Sequence, residues 1–407
     1  MQIKIGSTFV VIALLVLASG SQFLKQAWLA SGFGPGVYAG WATAILASQL
    51  LYNFGGLGYH NFSARHAAVY KSREKKLITN RLVSRQYLIY AYLLPISIPV
   101  IYYLVAKPSF ILFGVMMVYA LANVFLNTAT TPIYVRSSLE SAKIQSVRGV
   151  GGTAVAVLIC YATGSLLLTL LSETVLICVL GFLILKREKF TFKRRFLKLD
   201  LRYKELVPFF VPVLVSTLAF SLSRLIAIDF FNEELLGIYY FMFLIASAGM
   251  IFQYGVSVIV GPMIVSQLNI RSEFSMKYFV LKIWIVLFLL SLLVFVLGQI
   301  SLPYLINYFY PNYVAGLVLA ISFLCLSVAK MCDVWSVYYL LAGLEKYLYV
   351  PSLVSILIAI GLYFYLSQTP DLELADMRYF IFGESIAIFL VPLLLLPFIK
   401  IKRLVRA

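Results

Sequence analysis

The chain has 407 residues, 62% of them apolar, with a mean hydropathy of +0.96 and a formal charge of +17 from 33 Lys and Arg against 16 Asp and Glu. A water-soluble domain has no core large enough for so much apolar surface, and at least ten stretches approach the roughly 20 residues that span a bilayer. The surplus positive charge lies in short connecting segments, so it speaks of membrane orientation and not of nucleic acid.

Membrane helices are expected at about 7–30, 38–58, 84–105, 110–130, 147–163, 168–186, 206–228, 235–261, 278–298, 313–342, 347–367 and 378–399. The fold class is therefore an all-α polytopic membrane protein with about twelve transmembrane helices. The first two form a hairpin joined by SGFGPGVYAG, in which Gly34-Pro35-Gly36 reads as a tight reversal. The first apolar run continues past Ala18 with no convincing cleavage site, so it is expected to remain as a membrane helix. Lys25 falls well inside this run, with Gln22 and Gln26 within a turn of it. A lysine near the middle of hydrocarbon costs about 2.5 to 3.5 kcal/mol on insertion scales, so it is expected to face a protein interior or a wet cavity.

The loops alternate in charge. Segments 59–86 and 186–204 and the tail from Lys400 are strongly basic, whereas the intervening loops carry Lys107, the acidic group Asp229, Glu233 and Glu234, or the mixed group Asp371, Glu373, Asp376 and Arg378. Short basic loops stay cytoplasmic, which places both termini inside. The expected domains are a six-helix lobe over 1–186, a basic cytoplasmic linker over 187–204 and a second six-helix lobe over 205–407. A shift of 199 residues sets Lys25 on Arg224 and Ala47-Ser48 on Ala246-Ser247. An even number of crossings in each half makes this a parallel repeat.

No hydrophilic stretch exceeds about 25 residues and no GxxxxGK[ST] motif occurs, which excludes a built-in soluble catalytic or nucleotide-binding domain. The four cysteines, Cys160, Cys178, Cys325 and Cys332, lie in apolar runs without metal-ligand spacing and read as buried thiols. No metal site and no cofactor is expected.

The polar groups inside the apolar runs carry the functional expectation. Lys25 and Arg224 occupy the first helix of each half, where two cations could hold a phosphate or pyrophosphate; the alternative is that each pairs internally with a carboxylate or snorkels outward. Lys330 and Asp333 stand one helical turn apart and can neutralise each other, with ion coupling through Asp333 as the other reading. Glu173 and Glu384 have no basic residue a turn away and are candidates for proton coupling. Tyr52, Asn53, Gln253 and Tyr254, with Asn123 and Asn127, can line a sugar path or join helix to helix.

Three stretches, GFGPGVYAGW in the first hairpin, FGGLGYHNFSARHA at the end of the second helix and YFYPNYVAG before the tenth, occur in this order. In these the sequence resembles the polysaccharide flippases of the multidrug/oligosaccharidyl-lipid/polysaccharide exporter superfamily, the O-antigen and capsule repeat-unit translocases. The last stretch lacks a glycine immediately before Pro311. The resemblance implies two six-helix lobes around a cationic cavity, lined by the first, second, seventh and eighth helices, with Lys25 and Arg224 among its cations. It implies flipping of an undecaprenyl-pyrophosphate-linked oligosaccharide from the inner to the outer leaflet by alternating access, driven by a proton or sodium gradient. It further implies a non-enzymatic monomer of the bacterial inner membrane in lipopolysaccharide, O-antigen or capsule synthesis, partnered by membrane lipids, a polysaccharide polymerase and a chain-length regulator. The alternatives are a multidrug exporter of the same superfamily, for which two cations are the wrong sign, and a peptidoglycan-precursor flippase, whose relatives have more helices. A membrane polysaccharide polymerase is disfavoured by the short outer loops.

Overall fold

A computed structural model of the chain describes residues 5–55, 75–105, 110–190, 221–268, 272–341, 349–368 and 373–396, with Leu344 and Tyr347. Among these residues every regular element is helical. The helices are α1 (Ile5–Gly55), α2 (Lys75–Leu104), α3 (Phe110–Arg136), α4 (Ser138–Thr163), α5 (Leu166–Arg187), α6 (221–230), α7 (Glu233–Leu268), α8 (Glu273–Phe309), α9 (Ala320–Met331), α10 (Val334–Leu341), α11 (Tyr349–Leu366) and α12 (Met377–Leu395). Nine candidate spans among the described residues are long and apolar enough to cross a membrane. The described residues thus show an all-α membrane protein, as the apolar runs require.

The hairpin stretch is where α1 breaks. Gly34 takes φ 73° and ψ 171°, a conformation open to a residue without Cβ, and Pro35 withholds the amide that would continue the ladder. The helix boundaries elsewhere follow local capping chemistry. Ser137 caps α4 by accepting from the Glu140 amide, and Gly164 closes it in the left-handed region with its amide on Cys160 O. The next residue, Ser165, already caps α5 by accepting from Leu168 N, so a two-residue turn reverses the chain. At the other end of this helical hairpin Arg187 reaches Glu140 at 3.0 Å, an exposed pair of little energetic weight.

Close backbone contacts group the chain into two compact units, Met1–Phe33 with Val37–Thr217, and Gly34–Gly36 with Leu218–Ala407. The linker expected at 187–204 lies, from 191 onward, outside the described residues. In unit 1, α3 packs along α5, and α5 along α4. In unit 2, α9 is the central element, packed on α7, α8 and α12, and α11 pairs with α12. The helix expected over 313–342 is three pieces: a 3-10 segment Pro311–Leu319, then α9, then α10 after a break at Cys332-Asp333. The break is stable because Asp333 Oδ1 accepts from Ser336 N at 3.1 Å and so caps α10.

Candidate functional site

In unit 1 a polar cluster is built from four helices. Lys25, on α1, is 1% exposed, and its Nζ donates to Glu173 Oε1 on α5 at 2.7 Å. The ammonium also lies 5.2 Å from the ring centroid of Trp41, a fully buried residue of α1 beyond the break. Two groups expected to act separately, one as a ligand cation and one as a proton carrier, are here a single buried ion pair. The pairing crosses 148 residues of sequence, which is why inspection one turn either side of Glu173 finds no partner.

Helix α4 makes room for that pair. A Cβ at Gly149 would fall 2.6 Å from Ala18 O, and one at Gly152 would fall 3.1 Å from Glu173 Oε1. The two glycines therefore let α1 and α5 approach the α4 backbone, and polar side chains fasten the contact. Ser146 Oγ donates to Leu14 O at 2.6 Å, Thr153 Oγ1 to Ser21 O at 2.9 Å, and Gln22 Nε2 to Gly149 O at 3.5 Å.

Beside the ion pair stands Arg148, absent from the sequence-based candidates. Expecting the fifth helix to begin at 147 put this residue at a membrane edge, whereas α4 begins at Ser138 and Arg148 is several turns inside it. The capping signal Ser137-x-x-Glu140 was the clue to the earlier start. Arg148 is half-buried; its Nη1 donates to Asn127 Oδ1 at 3.2 Å and its Nη2 donates to Asn123 Oδ1. Both acceptors are neutral, and no ion pair to Arg148 occurs among the described residues. Lys25, Tyr52 and Tyr119 are its electrostatic neighbours. Counted as formal charges among the described residues, Lys25 and Glu173 cancel and Arg148 leaves the cluster at +1.

Unit 2 holds a second cluster. Arg224, on α6, is 6% exposed, with its guanidinium carbon 4.7 Å from the Phe243 ring centroid and Nη2 3.5 Å from Ser221 Oγ. Its electrostatic neighbours are Tyr240, Tyr239 and Glu384. Glu384, on α12, is 5% exposed and faces Lys330, Arg224 and the Ser223 hydroxyl. Neither of its carboxylate oxygens meets ordinary hydrogen-bond geometry with a described residue. Lys330 and Asp333 remain electrostatic neighbours across the break between α9 and α10. The hydrogen bonds of Asp333 go instead to Ser336 N and to Gln253 Nε2, the latter at 2.8 Å.

The other expected site residues divide between the units. Tyr52 stands by Arg148 in unit 1, with its carbonyl accepting from Tyr90 Oη at 2.8 Å, and Asn53 is half-buried next to it near the end of α1. Gln253 belongs to the Asp333 cap, and the Tyr254 side chain lies outside the described residues, as does the whole FGGLGYHNFSARHA stretch from Gly56. Among the described residues no group of His, Cys, Asp and Glu could hold a metal ion.

No family model matches the chain, and no curated protein matches it in sequence. Solved structures do. A multidrug resistance MATE family transporter of the MOP superfamily in an inward-facing conformation is 13% identical over 96% of this chain and 97% of its own, with a TM-score of 0.66. The MATE multidrug transporter DinF-BH, solved in complex with R6G, is 15% identical over 97% and 96% of the two chains, with a TM-score of 0.67. A Vibrio cholerae MATE transporter, VcmN, is 10% identical over 96% and 94%, with a TM-score of 0.60. At such identities the likeness is one of fold, and it runs the length of the chain.

Proposed function

We propose that the protein is a secondary exporter that moves an amphipathic substrate with an anionic head across the bilayer by alternating access. We take that substrate to be a polyprenyl-pyrophosphate-linked oligosaccharide repeat unit. The observation that carries the reading is Arg148, half-buried within a membrane helix and hydrogen-bonded to two neutral asparagine oxygens. A guanidinium held away from bulk water with no counter-ion among the described residues is stabilised by an arriving anion, and its planar fork suits phosphate oxygens. The fold of the solved exporters supports the transport half of the reading.

On this reading Arg148 makes the anion contact of unit 1, and Arg224, stacked on Phe243, is its counterpart in unit 2. Tyr52 and Asn53 supply hydroxyl and amide groups for sugars. Glu384, buried with neither oxygen hydrogen-bonded to a described residue, is the first choice for the coupling proton or sodium ion, ahead of Asp333, whose oxygens cap α10 and accept from Gln253, and of Glu173, whose Oε1 is held by Lys25. The protein would work in a bacterial inner membrane, both termini cytoplasmic, beside a polymerase and a chain-length regulator.

A second reading, export of cationic drugs, is favoured by the solved neighbours, two of which are described as multidrug transporters. A cationic drug needs excess carboxylate where it binds, and the unit 1 cluster has the opposite sign. Proteoliposomes decide between them. The protein should translocate a fluorescent pyrophosphate-linked oligosaccharide lipid, and Arg148→Gln should abolish this at matched protein amounts. Robust efflux of a cationic dye with no lipid translocation would establish the second reading and refute the first.

A further inference from the structure

A cavity of about 360 Å³ opens on unit 2 between α8, α9 and α12. Its walls include Phe288 and Phe295 from α8, Cys325 and Ala329 from α9, and Phe382 and Phe389 from α12. Ser385, the polar residue of the lining, is satisfied internally, donating to Ile381 O at 2.6 Å. At the mouth Leu292, Ile386 and Leu390 are 45%, 52% and 44% exposed, on helices apolar enough to cross a membrane. Such a groove in a bilayer-spanning wall is reached by hydrocarbon chains from the side and not by water.

One end of the groove is basic and aromatic. Trp284 stacks on Phe288 with ring centroids 5.4 Å apart and meets Phe389 at 5.2 Å, so the start of α8 adjoins the end of α12. The residues Lys277, Leu281, Trp284, Phe288, Leu292 and Phe295 recur at steps of three or four and share one helical face, so Lys277 stands in line with the groove. Lys282 is exposed, its Nζ 4.7 Å from the Tyr278 ring centroid, and shares the outward face with Leu289 and Leu293, away from the groove. At 1.5 Å per residue Lys277 precedes Phe288 by about 16 Å, so an acyl chain held at that lysine and filling one leaflet of about 15 Å ends near the Phe288 end of the groove.

We propose that this groove is a binding site for an anionic phospholipid, one acyl chain lying between α8, α9 and α12 and the headgroup phosphate held by Lys277, in line with it. Charge selects the headgroup and the aromatic walls hold the chain. An ammonium beside an anionic headgroup favours it over a zwitterionic one by about fivefold per lysine. The site is separate from the polar clusters and needs no transported substrate, so it stands or falls independently of the function proposed above.

The test is photo-crosslinking of the full chain in liposomes of phosphatidylglycerol and phosphatidylcholine, with a trace of either lipid carrying a diazirine in its acyl chain. Phe288, Leu292 and Phe295, with the peptides spanning 325–329 and 382–390, should be labelled by the phosphatidylglycerol tracer at least about fivefold more than by the phosphatidylcholine tracer. Lys277→Gln should erase that preference, whereas Lys282→Gln, on the outward face, should leave it. Cys325→Phe, which fills the groove, should lower groove labelling while the outward residues Leu289 and Leu293 stay labelled. Should Cys325→Phe fail to fold, the lysine variant and competition by unlabelled phosphatidylglycerol still decide the matter. Equal labelling by the two tracers, or groove labelling no higher than that of Leu289 and Leu293, would mean bulk lipid and overturn the proposal. Displacement of the tracer by polyprenyl phosphate more readily than by phosphatidylglycerol would also overturn it, making the occupant an isoprenoid.

Discussion

Replacing Glu173 by Gln removes the carboxylate from Lys25 and leaves an ammonium in a site whose two side chains are 1% and 3% exposed. With so little exposure, screening by solvent offers no relief, and breaking a buried pair of this kind costs about 3–5 kcal/mol. The ceiling follows from the lysine itself. Discharging an ordinary lysine at pH 7 costs about 4.6 kcal/mol, and the cost falls by about 1.4 kcal/mol for each unit of higher pH. The expected loss is therefore about 3–4.5 kcal/mol at neutral pH, shrinking in alkali. Lys25→Met with Glu173→Gln should cost no more than the worse single change, because no charge is then left buried. The assay is reversible unfolding of the purified protein in mixed micelles by titration with dodecyl sulfate, at two pH values. A Glu173→Gln loss below about 1 kcal/mol, or single losses that add within about 0.5 kcal/mol in the double variant, would refute the buried pair. Transport by the same double variant separates roles: parent-like lipid flipping leaves Lys25 as a structural partner, whereas a stable but inactive protein makes it a substrate contact.

Arg148→Lys should retain part of the flipping activity that Arg148→Gln loses, since it keeps the charge and gives up the fork; equal loss in both would point to geometry alone. Gly149→Ala should lower thermal stability in detergent by an amount typical of overpacking, about 1–3 kcal/mol, because its Cβ would fall 2.6 Å from Ala18 O; an unchanged melting profile would show that α1 and α4 are not in contact there. Asp333→Ala should lose the α10 cap and the Gln253 bond, at about 1–2 kcal/mol, while Asp333→Asn keeps the capping oxygen and loses less; a reversed order would assign Asp333 to charge and not to capping. Cysteines introduced at 65–76 and 187–198 should be labelled from the cytoplasmic side and those at 230–234 from the outside, and an inverted pattern would reverse the topology.

Apolar runs and capping motifs are local, and that is why the helices were legible. The spans expected at 168–186 and 347–367 are close to α5 and α11, and the Gly-Pro stretch marks the break in α1. Hydropathy alone, however, sees where an apolar run starts and not where a helix starts. It therefore began α4 at 147, hid Arg148 at an edge, and ran one helix through Asp333, whose capping role depends on backbone conformation. The polar pairings were not legible at all, because they join residues far apart in sequence: Lys25 finds Glu173, and Gln253 finds Asp333 across 80 residues. The glycines of the VRGVGG stretch announced a close helix contact, but only the packed helices say that the carboxylate of Glu173 is what fills the space beside Gly152.

The ion pair also sets an order of events during synthesis. Lys25 enters the membrane 148 residues before Glu173 has been made, an interval of roughly 7–30 s at ordinary elongation rates. During that time the nascent first hairpin holds a charge that hydrocarbon rejects. Its own second arm supplies Trp41, whose indole face lies 5.2 Å from the ammonium in the finished protein and is translated only sixteen residues after Lys25. The tryptophan can shelter the lysine until α5 arrives, so a change at Trp41 would be felt at insertion, as protein cleared from the translocon before the counter-charge exists.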